Sequence, residues 1–501
     1  MRKNSFAFGC IILMSANIIT RFMGFFYRIY MSKTIGAQGM GLYQLIMPLY
    51  ILCYSITASG ITTTVSKLTA EETARNSQAN AIRILKAALS ITLSLSIIIS
   101  FAMYFNSDTA ALYFIKDTRS SESLKILSLC FPFMAAGSCI KGYFLGKQNN
   151  IFPALSQIFE QAVRMISLVA IMVLFSPQNI EQSCSAAVVG VVLGEIFSFA
   201  LTMAFLLFSS DSSASGKKPD IPVLSAYRKI LTMSVPLSAS RVAASFLSAV
   251  ENILIPLRLG MYPKSTDALS QYGHLSGMVI PLLHFPSSML SAVSISMIPA
   301  ISKQRTVKNQ HQAQLTVNRS ISFTAAASCG AAVFFYAFSS DVCALIYSMP
   351  ELGTLLRPLS LLCPLMYMQI TLNGVLNSLG KHFQLFLTGI ASSLVSIVSI
   401  YFLMPKIGIN AYIYGAFLSS LTAVLPAIII SGKYFSIKRS TLKYYIICGV
   451  CAVFSAALSK YIPELNIISR MSVMAFAYIA GLIATGIFSE ITGLKILSKK
   501  A

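Results

Sequence analysis

The sequence predicts an all-α polytopic membrane protein with about fourteen transmembrane helices. We expect two six-helix lobes related by a pseudo-two-fold axis along the membrane normal, followed by two further C-terminal helices. Hydrophobic residues make up 55% of the 501 residues and charged residues only 11%, against roughly 25% charge in a soluble domain. In addition, local sequence patterns of the first half recur in the second.

Each predicted helix is an apolar stretch of at least about 18 residues, the length needed to cross the hydrocarbon core of a bilayer. The first follows Arg2 and Lys3, but it is too long for a cleaved signal peptide and contains two arginines. The fourteen stretches lie at residues 5–31, 42–66, 82–105, 124–146, 152–176, 184–208, 227–255, 271–300, 319–339, 354–380, 384–404, 409–432, 441–461 and 467–492.

The fourth and tenth stretches share one pattern. The residues around Pro132 recur around Pro364, and a glycine follows each proline by ten residues (Gly142 and Gly374). The sixth and twelfth stretches repeat as well, because Ala186 to Gly190 matches Ala411 to Gly415. An internal duplication of six helices follows from these repeats.

The duplication sets the predicted domain boundaries. An N-terminal lobe covers residues 1–208, a Ser/Gly-rich cytoplasmic linker 209–226, a C-terminal lobe 227–432, and two additional helices with a cytoplasmic tail 433–501. Since each lobe holds an even number of helices, both lobes have the same orientation in the membrane.

Basic residues predict the orientation. Lys and Arg concentrate in alternate short loops, which places the N- and C-termini of a multi-pass membrane protein in the cytoplasm. The net charge of +22 therefore reflects topology and attraction to anionic membrane lipids. Nucleic-acid binding is not expected, because the chain has no soluble basic domain.

Ionisable residues inside the predicted helices are the candidate functional residues. Each costs about 2.5–3.5 kcal/mol at the centre of the bilayer, so several together indicate mutual pairing or a water-filled cavity. They are Arg21, Arg28, Lys141, Glu160, Arg164, Glu195, Arg241 and Glu251.

The predicted substrate site comprises Arg21, Arg28, Arg241, Arg164 and Glu160, and the first three of these are placed by position along their helices. Arg21 and Arg28 are seven residues apart and therefore lie on nearly the same face of the first helix. Arg241 occupies the corresponding place in the seventh helix, so we expect arginines at the interface between the lobes. Guanidinium groups bind phosphate or pyrophosphate bidentately; the alternatives are snorkelling to the membrane surface and structural ion pairs.

The other ionisable residues leave alternatives open. Glu160 and Arg164 have the i, i+4 spacing of an ion pair, and either a structural pair or a contact with substrate is consistent with it. Glu195, Glu251 and His274 are candidates for coupling to protons or cations, or neutralise an arginine.

Prolines and missing motifs complete the prediction. Pro281 and Pro286 on one helix are hinge candidates, the alternative being static curvature. The chain has no P-loop, metalloprotease or serine-hydrolase motif, so we expect no enzyme activity, no metal and no cofactor.

One motif resembles a known family. The segment from Thr20 to Arg28, the segment from Ile35 to Tyr43, and Pro48 resemble the stage V sporulation protein B family of polysaccharide transporters. That family belongs to the multidrug, oligosaccharidyl-lipid and polysaccharide (MOP) flippase superfamily. The resemblance implies two lobes around a central cavity in which Arg21 and Arg28 meet a lipid-linked pyrophosphate.

The function implied by this resemblance is a flippase that moves polyprenyl-pyrophosphate-linked oligosaccharide across the bacterial cytoplasmic membrane by alternating access. The substrate is expected to be a cell-wall or polysaccharide precursor, with a lipid II-like molecule and a role in sporulation among the options; the implied partners are that lipid, membrane lipids and cell-wall synthesis proteins. Two alternatives remain: a multidrug cation antiporter of the same fold, and a non-transporting membrane scaffold of a cell-wall complex.

Overall fold

The computed structural model describes residues 2–209, 220–265, 267–307, 309–435, 439–460 and 466–492. Helices make up the regular structure of those residues, and no strand occurs among them, which confirms the all-α prediction. Within the same ranges, three π-helical segments interrupt the α-helices, at Ser55–Ser59, Ala110–Ile115 and Gly273–Val279.

The longer helices are numbered in chain order, and shorter helical turns join some of them. They are α1 (Arg2–Thr34), α2 (Gly36–Tyr54), α3 (Gly60–Ala74), α4 (Gln78–Phe105), α5 (Ser121–Ser128), α6 (Phe131–Gly146), α7 (Ile151–Phe175), α8 (Ile180–Phe208), α9 (Val223–Leu259), α10 (Ala268–Tyr272), α11 (Ile280–Thr306), α12 (Gln310–Ala337), α13 (Ser339–Tyr347), α14 (Gly353–Ser360), α15 (Cys363–Ser378), α16 (His382–Ile407), α17 (Asn410–Gly432), α18 (Arg439–Lys460), α19 (Ile467–Ala484) and α20 (Ile487–Thr492).

Each of the fourteen predicted stretches corresponds to a helix or a pair of consecutive helices. Within the described residues, ten helices are long and apolar enough to cross a membrane, and the number of candidate spans rises to twelve if each of two bent helix pairs is one span. The chain is thus a multi-pass membrane protein, and the count of fourteen remains a prediction.

Contacts divide the chain into two compact units. The first comprises Met1–Leu257 with Asp267–Gly273, and the second comprises Arg258–Thr266 with His274–Ala501. Almost all of α9 therefore packs with the helices before it, although the duplication assigns this helix to the second lobe. The lobe boundaries remain a prediction, because a packing unit and a sequence repeat need not end at the same residue.

The fourth predicted span is bent. The segment Thr118–Ser128 and α6 are inclined by 48°, and Pro132 is the second residue of α6. Because proline has no N–H, it cannot bond to the carbonyl group four residues earlier, which belongs to Ser128. That carbonyl accepts a hydrogen bond from Ser100 Oγ at 2.6 Å instead. The bend therefore does not leave this carbonyl oxygen without a hydrogen-bond donor.

The tenth predicted span is bent in the same way. The segment Pro350–Ser360 and α15 are inclined by 55°, and Pro364 is again the second residue of the helix after the bend. The duplicated sequence pattern thus corresponds to a duplicated bend.

Glycines ten residues after these prolines make equivalent contacts in the two units. A Cβ atom on Gly142 would lie 2.7 Å from the carbonyl oxygen of Thr62 in α3, and one on Gly374 would overlap with Ser294 Oγ in α11. Thr62 and Ser294 are as far apart in the sequence as the two glycines. The repeat therefore extends to the helix against which each glycine packs.

The two C-terminal spans pack on α12. Tyr478 of α19 donates a hydrogen bond to the carbonyl oxygen of Ala326 at 2.7 Å, and its ring occupies the space that a side chain on Gly330 would need. Cys329 and Cys448 are buried in the apolar cluster at this contact. Both cysteines therefore contribute to packing.

The C-terminal part of the predicted linker is anchored to α4. Asn80 Oδ1 accepts hydrogen bonds from the backbone N–H groups of Asp220 and Ile221, and Arg83 donates to the carbonyl oxygen of Ile221. Residues 210–219, which form most of the predicted linker, lie outside the described residues.

Candidate functional site

The first unit contains a cavity of about 390 Å³ among α1, α2, α7 and α9. This volume lies within the range of ligand-binding pockets. Most of the wall is polar or aromatic. The lining residues are Gly24, Tyr27, Arg28, Tyr43, Gln44, Met47, Pro48, Tyr50, Ile51, Gln161, Arg164, Ser248 and Asn252.

The charges of the cavity wall are positive. Arg28 and Arg164 contribute guanidinium groups, and none of the described lining residues is Asp or Glu. Amide and hydroxyl groups supply the other polar contacts. Such a wall favours an anion over a cation, because guanidinium groups attract negative charge and bind oxyanions in a fixed fork.

The sequence of α7 places Arg164 at the cavity. Glu160, Gln161 and Arg164 recur at helical spacing on one side of a largely apolar helix, so one face of α7 is polar. Gln161 and Arg164 reach the cavity. Glu160 lies on the same side and joins an ion-pair network behind the wall.

Two glycines bring α8 close to α7. In the Gly190-Val-Val-Leu-Gly194 segment, a Cβ atom on either glycine would lie 3.0 Å from a backbone carbonyl oxygen of α7, that of Arg164 for Gly190 and that of Glu160 for Gly194. This small-xxx-small spacing allows two membrane helices to approach closely. Glu195, the next residue of α8, is thereby held beside Arg164.

Four ionisable side chains form the buried network. Lys141 Nζ lies 3.0 Å from Glu160 Oε2, and Arg164 Nη2 lies 3.3 Å from Glu160 Oε1 and 3.8 Å from Glu195 Oε1. Their side chains are between 8% and 18% exposed. Two positive and two negative groups cancel, so the network can be buried in a membrane protein at a tolerable cost.

Tyr50 connects the network to the cavity. Its hydroxyl group donates a hydrogen bond of 2.6 Å to Glu195 Oε1, while Tyr50 itself lines the cavity. The nearest partner of Glu195 is therefore a neutral hydroxyl group, whereas both partners of Glu160 are cations.

Arg164 keeps unused hydrogen-bonding capacity. A guanidinium has five N–H groups, and the hydrogen bond of Arg164 among the described residues runs from Nη2 to Glu160. Its Nε is buried without a hydrogen-bond partner in the described part of the chain. Arg28 forms no ion pair with any described residue and is exposed at the cavity.

The other two predicted arginines lie elsewhere. Arg21 is exposed on α1 and does not line this cavity. Arg241 of α9 donates hydrogen bonds to the carbonyl oxygen of Ser59 at 2.5 Å and to Thr63 Oγ1 at 3.2 Å. Their predicted contacts with substrate remain predictions.

The remaining candidates lie outside this cavity as well. Glu251 is partly buried on α9, and His274 lies in the π-helical segment Gly273–Val279; both interact with other residues. Pro281 and Pro286 follow that segment at the start of α11. Coupling and hinge roles for these residues stay predictions.

Several lining residues could not be recognised from the sequence as site residues. Gln44, Asn252 and Tyr50 carry no charge that would mark them in the sequence, and only the fold brings α2 and α9 to the same cavity. The polar face of α7 was a usable signal for Gln161. Lys141 was recognisable as an intramembrane charge, but its pairing with Glu160 required the fold.

Comparison with known proteins identifies the family. The model of the polysaccharide biosynthesis protein family matches residues 6–305, more than half of the chain. The chain belongs to the polysaccharide biosynthesis protein family. This result confirms the resemblance seen in the N-terminal motif.

Two relatives of this family member come from Bacillus subtilis (strain 168). Stage V sporulation protein B is 28% identical over 478 residues, which cover 92% of this chain and 91% of the relative. The lipid II flippase MurJ is 28% identical over 170 residues, which cover 32% of this chain and 31% of the relative.

Solved structures show the same fold. A lipid II flippase MurJ in an inward closed conformation superposes with a TM-score of 0.72 at 14% identity, covering 97% of this chain and all of that one. An inward-facing multidrug resistance MATE family transporter of the MOP superfamily superposes with a TM-score of 0.66 at 12% identity, covering 85% and 98%. The family member thus has the fold of MOP superfamily transporters.

Proposed function

We propose that the protein is a flippase for lipid-linked oligosaccharide, a polyprenyl pyrophosphate that carries a cell-wall or polysaccharide precursor. The single observation that carries the proposal is the cavity of the first unit, which has two guanidinium groups and no carboxylate among its described lining residues. A pyrophosphate diester has the matching charge, and its oxygens match the fork geometry of arginine.

The family and the relatives support this substrate class. The family takes its name from polysaccharide biosynthesis, and one relative is named as a lipid II flippase. In the proposed cycle, the anionic head of the lipid enters the cavity and crosses the membrane by alternating access, without covalent chemistry on the substrate. We place both termini in the cytoplasm of a bacterium and include a peptidoglycan precursor during sporulation in the substrate range.

Arg28 and Arg164 are the proposed contacts with the pyrophosphate, and Gln44, Gln161 and Asn252 supply neutral hydrogen bonds. Arg21 lies two turns before Arg28 on the same face of α1, so we assign it a contact earlier or later on the substrate path. Arg241 is assigned the same kind of role from α9.

The test is transport in proteoliposomes. The measurement is leaflet translocation of a polyprenyl-pyrophosphate oligosaccharide at matched protein levels. Arg28→Ala removes a charge-assisted contact worth about 1.5–3 kcal/mol, which is roughly a ten- to hundredfold loss in binding. Arg28→Lys keeps the charge but loses the fork, so it should impair transport less than Arg28→Ala does.

The matched control is Arg228→Ala, which removes an exposed guanidinium near the start of α9, away from the cavity lining. It should transport at the wild-type rate. Equal rates for wild type and Arg28→Ala would remove the central contact of the proposal. Export of ethidium-like cations without lipid translocation would favour the multidrug antiporter, and absence of any transport would favour the scaffold.

A further inference from the structure

The two carboxylates beside the cavity are unequally compensated. Glu160 is within 3.3 Å of two cations, Lys141 and Arg164. Glu195 is 3.8 Å from the same guanidinium, beyond hydrogen-bonding distance, and its hydrogen bond is with the Tyr50 hydroxyl group. Of the two, Glu195 therefore has the less stabilised negative charge.

Burial adds to this difference. The side chain of Glu195 is 8% exposed, compared with 18% for Glu160, so less water stabilises its charge. The ionisable groups that face Glu195 come from three other helical elements. They are Tyr50 of α2, Cys130 and Lys141 at the start and in the middle of α6, and Glu160 and Arg164 of α7.

Charge balance links the protonation of Glu195 to the cavity. With both carboxylates ionised, the network of Lys141, Glu160, Arg164 and Glu195 is neutral, and the charge of Glu195, which does not line the cavity, offsets part of the field of Arg164. When Glu195 takes up a proton, the network carries one net positive charge. Because Arg164 also lines the cavity, this charge is available to an anion there.

We propose that Glu195 is a proton-binding site that competes with the anionic substrate for Arg164, so that binding of the anion is coupled to uptake of one proton. The inference rests on the proposed function, because it needs an anion in the cavity. Tyr50 connects Glu195 to the cavity, since its hydroxyl group donates a hydrogen bond to Glu195 and the residue lines the cavity.

Linkage gives the expected size of the effect. If one proton is bound with each anion, the apparent Kd rises up to tenfold for each unit by which the pH increases through the range where Glu195 ionises. Coupling is reciprocal, so the bound anion must also increase the proton occupancy of Glu195. Glu195→Gln mimics the protonated state and should bind the anion tightly at all pH values in that range.

The experiment is calorimetric titration of the purified full-length protein in nanodiscs with a polyprenyl-pyrophosphate monosaccharide. As a pyrophosphate diester, this probe keeps the same charge between about pH 5 and 8, a range in which a perturbed carboxyl group can titrate. Repeating the titration in two buffers with different ionisation enthalpies counts the protons taken up. We expect uptake approaching one proton for wild type and none for Glu195→Gln.

The control is Glu122→Gln, which removes an exposed carboxylate of α5; its pH profile and proton uptake should match wild type. Tyr50→Phe supplies a second variant if Glu195→Gln folds poorly. Loss of the hydroxyl donor disfavours the ionised carboxylate, so the decline in affinity should move to higher pH.

The outcomes separate the two proposals. A wild-type protein that binds the probe with flat pH dependence, or a Glu195→Gln protein with undiminished proton uptake, overturns the coupling at Glu195 and leaves the flippase intact. An unmoved pH profile for Tyr50→Phe also counts against the coupling. Absence of probe binding to wild type at every pH refutes the anion cavity itself, and the coupling with it.

Discussion

Glu160→Gln should be strongly destabilising, because Glu160 is the carboxylate between two buried cations. At an effective dielectric constant of about 20, an ion pair separated by about 3 Å gains roughly 5 kcal/mol of Coulomb energy, and Glu160 forms two such pairs, with Lys141 at 3.0 Å and with Arg164 at 3.3 Å. The desolvation of Glu160 offsets part of this gain. Removal of one partner from a buried pair typically costs about 3–5 kcal/mol.

A double variant tests whether the charge network causes the loss of stability in Glu160→Gln. Lys141→Met together with Glu160→Gln leaves Arg164 and Glu195, so the network is neutral again. We therefore expect the double variant to be more stable than the sum of the single effects predicts, by about 1–3 kcal/mol.

The assay is reversible denaturant unfolding in mixed micelles, with wild type, both single variants and the double variant under identical conditions. Strictly additive destabilisation would refute the reasoning, because it would show that Lys141 and Glu160 do not interact energetically. A Glu160→Gln variant as stable as wild type would refute the burial of an uncompensated charge.

Two further predictions concern packing and pH. Gly142→Ala places a methyl group 2.7 Å from the backbone carbonyl oxygen of Thr62 and should lower the free energy of unfolding by about 1–3 kcal/mol. Gly389→Ala, which has open space at its Cβ position, should raise it by about 0.5–1 kcal/mol through helix propensity. The measurement is unfolding of both variants in one detergent, and equal effects would contradict the contact at Gly142. Burial raises the pKa of Asp267, but hydrogen bonds from the Gln38 side chain and from the backbone N–H groups at the start of α10 outweigh it, and the pKa lies below its usual value. Because the pKa is lowered, the ionised carboxylate contributes stability above about pH 4, and this stability is lost as the pH falls through the native pKa. The stability difference between wild type and Asp267→Ala should therefore shrink below about pH 4. A constant difference down to about pH 2 would contradict this assignment.

Helix positions were predictable because a membrane span must be long and apolar, which is a local property of the sequence. The bends of the fourth and tenth spans were predictable from Pro132 and Pro364, since proline inside a helix removes a backbone hydrogen bond. The partners of Gly142 and Gly374 could not be predicted, because a missing side chain does not indicate which helix approaches it.

The candidate site was predictable in part. Its charged members stood out because charge is rare in a membrane span, and the spacing of Glu160 and Arg164 suggested their ion pair. Sequence reasoning gave Arg21 the central role, whereas the cavity of the first unit is lined by Arg28. Helical periodicity puts both arginines on one face, but where a neighbouring helix leaves space along that face depends on packing.

The sequence by itself determined that this protein crosses the membrane many times, that the pattern around Pro132 recurs around Pro364, and that the protein carries charges which need partners in the membrane. These properties follow from composition and periodicity, which act over a single helix. The tertiary structure decided that Glu160 pairs with two cations, that Glu195 forms its hydrogen bond with a tyrosine hydroxyl group, and that Arg164 both lies near Glu195 and lines a cavity. The physical reason is that the electrostatic energy of a charge in a membrane protein depends mainly on groups within a few ångströms, and those groups come from helices distant in the sequence.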